Sequence, residues 1–398
     1  MNWDTFSLHR TEYTLPAAFV DLDALMENVR VVRETVANHE KTVRVATKSV
    51  RHIGLLRRIL ELGGPTFQGL MCYSVPESIW LAEQGFDDLL VAYPTVQSAP
   101  LAALAQAVAK AHQIRLVVDH PAQLAALGQA GVKAGVELAA VVELDMSYRP
   151  LSSIHLGVRR SPLRLPEQVV ALAKQATDTP GVCFGGLMAY EAQIAGLPDR
   201  SPFHRLVNPA RRLIKSRSRA DVARRREETV HQLAQSGQNL ELVNGGGTGS
   251  LLSTRLDTSV TEITVGSGFL CSHLFDHYDG LPLQPAVFFA LEVTRTPAPG
   301  YVTCAGGGYI ASGEPGQDRL PQPWHPRGLS LLPMEGAGEV QTPLRVPPAV
   351  SLQAGDPVIF RHAKAGELAE RFEEYILLRQ GEVVGVEPTY RGQGQCFL

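Results

Sequence analysis

The chain has 398 residues, 44% of them hydrophobic and 19% charged, with a formal net charge of −3. That length suits one large globular domain plus a smaller one. The near-neutral charge offers no basic face for nucleic acid, and no apolar run reaches the roughly 20 residues of a membrane span.

The opening stretch MNWDTFSLHRTEYT has no apolar signal core. Next comes LPAAFVDLDALMENVRVVRETV, a strand and a helix that lead inward, with the strand available to a later sheet. Eight apolar runs then alternate with helical segments: VRVAT (43–47), FQGLMCY (67–73), DLLVAY (88–93), IRLVVD (114–119), LAAVVELD (138–145), FGGLMAY (184–190), LELVN (240–244) and EITVG (262–266). They are continuously apolar rather than alternating, as parallel strands buried on both faces are. Pro76 with Glu77, and Pro121, signal helix starts; Gly63 and Gly85 signal stops. The pattern predicts an α/β fold, a (β/α)8 TIM-type barrel over residues 15–271. An open doubly wound sheet is the alternative, because periodicity does not reveal closure. Segment 191–235 is long for one connection and predicts an active-site excursion or a mobile loop. Its basic run RRLIKSRSRADVARRR (211–226) reads as a solvated helix face or mobile segment. Beyond 272, Pro and Gly become frequent and short runs such as AVFFALEVT, DPVIF and EEYILLR appear. These predict a C-terminal antiparallel β domain over 272–398, with residues 1–14 as candidates to join it. The five cysteines are scattered without a CxxC pair, which fits reduced thiols in a cytoplasmic protein.

Two distant features carry the chemistry. Lys48 ends the first barrel run, where a lysine can hold an aldehyde as a Schiff base. Its neighbours Val45, Ala46 and Thr47 are expected to desolvate the amine and lower its pKa. Two glycine turns, Asn244-Gly245-Gly246-Gly247-Thr248 and Gly266-Ser267-Gly268, follow the last two runs. Loops after strands 7 and 8 of such a barrel commonly bind phosphate, and glycine-rich turns form anion nests. Hydroxyls of Thr248 and Ser250 add donors. A cofactor with both an aldehyde and a phosphate satisfies both anchors, which is pyridoxal phosphate.

Other residues join this reading more loosely. Tyr190 ends the sixth run and can pack against a flat ring; Arg149 and Arg159 follow the fifth run and can meet a carboxylate or phenolate. In RHAKAGELAERFEE, His362 and Lys364 are two apart, which on an extended segment points both side chains one way. With Glu367 they suit proton transfer. They do not suit a metal, for which lysine is a poor ligand.

In order along the chain, FVDLDALMENV, VRVATKSVRH, GLMAYE, VNGGGTGS and GSGFL resemble the fold-type III pyridoxal-phosphate enzymes. Those enzymes join an alanine-racemase-like barrel to a C-terminal β domain. The tail GDPVIFRHAKAGE is similar to the D-threonine aldolase and D-serine dehydratase branch, which includes proteins named amino acid deaminase/aldolase. The resemblance implies that Lys48 is the Schiff-base lysine. It implies that Gly246, Gly247, Thr248, Gly266, Ser267 and Gly268, beside Asn244, hold the phosphate, and that Tyr190 and Arg159 contact the ring or substrate. The implied activity is a lyase on a β-hydroxy D-amino acid, by retro-aldol cleavage or by dehydration. A racemase is the alternative, with Tyr301 or Tyr309 as its second base, and a non-catalytic pyridoxal-phosphate-binding protein ranks third. A homodimer is also implied. Metal-dependent members of the branch place a histidine and, two positions on, a cysteine or aspartate on a divalent ion. Here Lys364 follows His362, so no metal ligand is assigned. The Lys364 ammonium is expected where the cation would lie, polarising the substrate's β-hydroxyl.

Overall fold

In the computed structural model, which describes residues 13–397, eight parallel strands close into a barrel. The expectation that residues 1–14 join the β domain falls almost wholly outside the described residues. β1 (Ala17–Asp21) leads into α1 (Leu22–Val36), whose first turn is capped by the Asp21 carboxylate accepting from the Ala24 amide at 3.0 Å. The first half of the barrel runs β2 (Thr42–Ala46), α2 (Ile53–Gly63), β3 (Phe67–Cys72), α3 (Val75–Glu83), β4 (Leu89–Val91), α4 (Ser98–Ala109), β5 (Ile114–Val118), α5 (Pro121–Ala134) and β6 (Leu138–Glu143). The second half runs α6 (Pro166–Asp178), β7 (Val182–Ala189), α7 (Ala192–Ala195), α8 (Asn208–Gln235), β8 (Val243–Gly245), α9 (Leu251–Thr254), β9 (Glu262–Val265) and α10 (Ser267–Leu270). Pro76 and Pro121 lie in the first turns of α3 and α5, and α2 ends at Gly63. Closure is made by β9 against β2, with Val43 opposite Ile263 and Val45 opposite Val265.

The continuous apolar runs are explained by burial on both pleats. Leu70, Val91, Val118 and Val142 join the large core shared with the helices, while Leu90, Val117, Val141 and Met188 form a separate cluster inside the barrel. Towards the amino ends of the strands the interior is ionic. Arg44, only 1% exposed, donates to Glu262 at 2.6 Å and to Asp88 at 2.7 Å. Asp88 also pairs with Arg115.

Segment 191–235 is mostly helical rather than a loop: it holds α7 and the 28-residue α8. Nor is its basic run only a solvated face. Lys215, Arg225 and Arg226 are buried and paired with Asp199 at 2.8 Å, Asp221 at 2.9 Å and Glu191 at 2.8 Å. Charge density along a helix does not reveal which cations have buried partners.

The C-terminal region comprises β10 (Val287–Ala298), β11 (Tyr301–Ala305), β12 (Gln322–His325), β13 (Ser330–Leu331), β14 (Gln341–Arg345), β15 (Pro357–Arg361), α11 (Ala365–Ala369), β16 (Glu374–Arg379) and β17 (Glu382–Pro388). Its sheet runs β13-β14-β11-β10-β1-β16-β17, with β15 also paired to β10 and β12. β1 is thus a strand of this sheet, antiparallel to β10 and parallel to β16. Among the described residues no helix is long and apolar enough to cross a membrane.

Arg44→Ala would leave the Glu262 carboxylate buried without its cation. Loss of one partner of a buried pair costs about 3–5 kcal/mol. The expected outcome is a lower urea midpoint at unchanged slope, measured by equilibrium unfolding.

Candidate active site

Lys48 lies in the tight turn Thr47–Ser49 immediately after β2. It lines a cavity of about 480 Å³ at the carboxyl mouth of the barrel. Its Nζ donates to the Tyr93 Oη at 3.1 Å, and Tyr93 stands just beyond β4. Val45, Ala46 and Thr47 are buried beneath it, whereas Lys48 itself is exposed to the cavity.

Closure of the barrel sets the second glycine turn against this lysine turn. The Ser49 and Ser267 hydroxyls are 3.0 Å apart across 218 residues of sequence. The two glycine turns are also tied together, because the Gly268 amide donates to the Thr248 Oγ1 at 3.0 Å. A Cβ on Gly268 would stand 2.7 Å from the Thr248 methyl, so only glycine allows this approach. Gly246 has φ +77°, the left-handed region that favours glycine.

The amides do not all face the cavity, as the anion-nest reading assumed. The Gly246 N–H donates to Glu191 at 3.0 Å, and the Gly247 N–H to the Ser250 Oγ at 3.1 Å. Ser250 in turn donates to Glu191 at 3.0 Å instead of serving the cavity. The Asn244 carboxamide donates to Glu262 at 2.7 Å and Thr264 at 2.8 Å within the barrel. The wall of the cradle is supplied by Ser49, Gly247, Thr248, Gly249, Gly266 and Ser267.

Tyr190 follows β7 and lines the cavity; burial pushes its phenol up to about 12. The arginine beside it is Arg160, not Arg159. The Arg160 guanidinium lies 5.6 Å from the ring centres of both Tyr93 and Tyr190. Arg159 is exposed and does not line the cavity. Adjacent residues leave the chain in different directions, and the path of an irregular loop decides which one turns inward. Arg149 is bonded to Asp145 at 2.7 Å and also lies outside the cavity. Burial alone would raise the Tyr93 pKa, but Lys48 and Arg160 outweigh it and hold the phenol below its ordinary value.

His362, Lys364 and Glu367 share a side chamber, but only Lys364 and Glu367 reach the main cavity. Lys364 lines the main cavity, donating to the Ser312 carbonyl at 2.9 Å and its hydroxyl at 2.7 Å, with Glu367 3.4 Å away. Burial opposes ionisation of Glu367, yet Ser312 and Lys364 hold its carboxyl below the usual range. His362 is 2% exposed and does not reach the main cavity. Its Nδ1 lies 3.1 Å from the Val287 carbonyl, its Nε2 has no partner among the described residues, and burial pushes the imidazole down to about 3, so it is neutral. It faces a side chamber of about 320 Å³ that Lys364 and Glu367 also line. Tyr309 packs edge-on against Phe289 and lines only that chamber; Tyr301 belongs to β11.

This donor set fits an anionic, flat aldehyde. A lysine, a two-turn cradle and three tyrosines, Tyr93, Tyr190 and Tyr278, converge with Arg51, Arg160, Arg319 and Lys364, against Glu367 as a lining carboxylate. Among the described residues no group of three His, Cys, Asp or Glu side chains is placed to hold a metal ion, and the position two beyond His362 carries an ammonium. Sequence reasoning missed Tyr93, Arg160, Ser49 and Ser312. Tyr93 had a signal, since it ends DLLVAY as Tyr190 ends FGGLMAY.

Residues 20–270 match the family described as alanine racemase, N-terminal domain. The sequence is similar to a D-threonine aldolase from an Arthrobacter species, 28% identical over 295 residues, covering 73% of this chain and 71% of that one. The fold is similar to the crystal structure of D-threonine aldolase from Filomicrobium marinum, with TM-score 0.81, 21% identity and 95% of each chain covered. It is also similar to D-threo-3-hydroxyaspartate dehydratase from Delftia sp. HT23, with TM-score 0.76, 18% identity, and 96% of this chain and 98% of that one covered.

Arg160→Met removes a cation that lowers the Tyr93 pKa, so the Tyr93 phenol should titrate at higher pH than in the wild type. Arg159→Met should leave it unchanged. Ultraviolet titration of phenolate, by difference against Tyr93→Phe, isolates this group from the other tyrosines.

Proposed function

The chain belongs to the alanine racemase N-terminal domain family, and on that premise we propose that it is a pyridoxal-phosphate-dependent lyase cleaving a β-hydroxy D-amino acid between Cα and Cβ. The observation that carries the reading is Lys48 in one cavity with the paired glycine turns. Similarity to a D-threonine aldolase in both sequence and fold supports the substrate class.

Lys48 would hold the cofactor's aldehyde carbon, and Thr248, Ser267 and Ser49 would meet its phosphate. Tyr190 would flank its ring, and Arg160 would neutralise part of its charge. Bound there, the cofactor supplies an electron sink for the electrons left on Cα when a bond to that carbon breaks. The chain's own groups do the rest. Lys364, oriented by Ser312 and Glu367, is aimed at the cavity. There it orients the substrate's β-hydroxyl and stabilises the negative charge that develops on that oxygen as its proton passes to the Glu367 carboxylate in the same cavity, a charge the oxygen gives up as the Cα–Cβ bond breaks. Buried and neutral, His362 supports the Lys364 segment from behind. Residues 15–271 would hold the cofactor, and 272–398 would deliver Lys364. A cytoplasmic homodimer completes the reading, supported by the family resemblance and by cysteines scattered without a CxxC pair. The racemase reading has less support, since the sequence and fold are both similar to a D-threonine aldolase.

The test is the absorbance spectrum of the cofactor-loaded protein, with D-threonine and D-serine added and their L-forms as controls. A visible band that responds to the D-forms and releases an aldehyde is the expected result. A keto acid with ammonia would instead mean elimination. Lys48→Ala should lack the band, and a band of wild-type intensity in that variant would sink the lysine assignment. Lys364→Ala should keep the band and lose roughly 100-fold or more in kcat, the cost of removing one donor to a developing oxyanion; full activity would remove Lys364 from the chemistry.

A further inference from the structure

A buried ion pair stands directly behind the glycine cradle. Glu191 follows Tyr190 and is 1% exposed. Its carboxylate accepts from the Gly246 amide at 3.0 Å, from the Ser250 hydroxyl at 3.0 Å and from the Thr254 hydroxyl. It also pairs with Arg226 at 2.8 Å. Arg226, itself 1% exposed, reaches on to the Ala189 carbonyl at 2.7 Å and to Asp257 at 2.5 Å. The pair therefore links the end of β7, the middle of α8 and the segment from Gly246 to Thr254.

On electrostatics alone the carboxylate is misplaced, because a negative charge behind an anion site repels the anion. Arg226, shared with Asp257, offsets part of that charge. What the pair contributes is geometric. Charge-assisted hydrogen bonds are short and directional, and here they fix a glycine-rich loop that would otherwise lose much conformational freedom on binding.

We propose that Glu191 and Arg226 are the positioning residues of the anion cradle, and that they make the site selective for the phosphorylated aldehyde over its dephosphorylated form. The inference rests on the pyridoxal-phosphate reading of the cavity. Neither side chain lines the cavity. They act through the backbone of Gly246 and the hydroxyls of Ser250 and Thr254.

The experiment is equilibrium binding of pyridoxal phosphate and of pyridoxal, followed by the absorbance of the bound aldehyde. It is run on wild type, Glu191→Gln, Arg226→Met and the double variant. Glu191→Gln should lose roughly 10- to 100-fold in affinity for the phosphate form, the range of one or more charged hydrogen bonds. Its affinity for pyridoxal should stay within about threefold of wild type. Arg226→Met should lose more, because it leaves a bare carboxylate behind the phosphate, and the double variant should regain part of that loss. Should Arg226→Met fail to fold, Ser250→Ala and Thr254→Val each remove one donor to Glu191. These should lower the phosphate preference in the same direction. Equal losses for both aldehydes, or an unchanged preference in Glu191→Gln, would overturn the proposal. A wild-type protein that binds neither aldehyde would instead overturn the cofactor reading, and this inference with it.

Discussion

Pairing of β9 with β2 is the constraint on which the site depends. Until that edge closes, Lys48 and the Gly266–Gly268 turn are separated by more than two hundred residues of chain. Once it closes, strand register brings Ser49 and Ser267 to hydrogen-bond distance. The lysine then needs no long reach, and the cradle needs no separate support on that side. The strand ends supply the placement, and the loops supply the chemistry.

The interior of the barrel divides its labour along its axis. Near the amino ends Arg44, Glu262, Asp88 and Arg115 form an ionic floor, with Asn244 bonded to Glu262. Above it, Leu90, Val117, Val141 and Met188 make an apolar plug. The mouth is polar again. Glu143, which ends β6, has its carboxyl pushed up to about 7 by burial, against the opposing pull of Arg160. Asn244 bridges the two polar layers past this hydrocarbon, since it bonds Glu262 below and lines the cavity above.

The barrel was legible because parallel strands buried on both faces leave unbroken apolar runs, and each of the eight runs overlaps an observed strand. Lys48 and the two glycine turns were legible for a related reason, since they follow those runs directly. Residues on irregular segments were not. Arg159 and Arg160 are indistinguishable in a pattern, and only the loop's path selects Arg160. Gly246 and Gly247 lie in the cradle as expected, but their amides turn to Glu191 and Ser250, a direction that sequence does not encode locally. The buried cations of α8 escaped for another reason. Their partners Asp199, Glu191 and Asp257 are brought together only by tertiary packing. His362 and Lys364 were grouped by spacing, yet a turn into α11 sends one inward and the other to the cavity.

The place of β1 has a further meaning. It lies between β10 and β16 in the C-terminal sheet, with Phe19 opposite both Phe288 and Ile376. The second domain is therefore not a cassette that can be cut away at one linker, because its central strand is encoded ahead of the barrel. During synthesis, that strand emerges first and waits for partners made some three hundred residues later, a connection of very high contact order. The barrel is enclosed between the two pieces of one sheet. Its ends are held by the same hydrogen bonds that complete its neighbour, so transplantation or shuffling of either domain alone would leave an unpaired edge in the other.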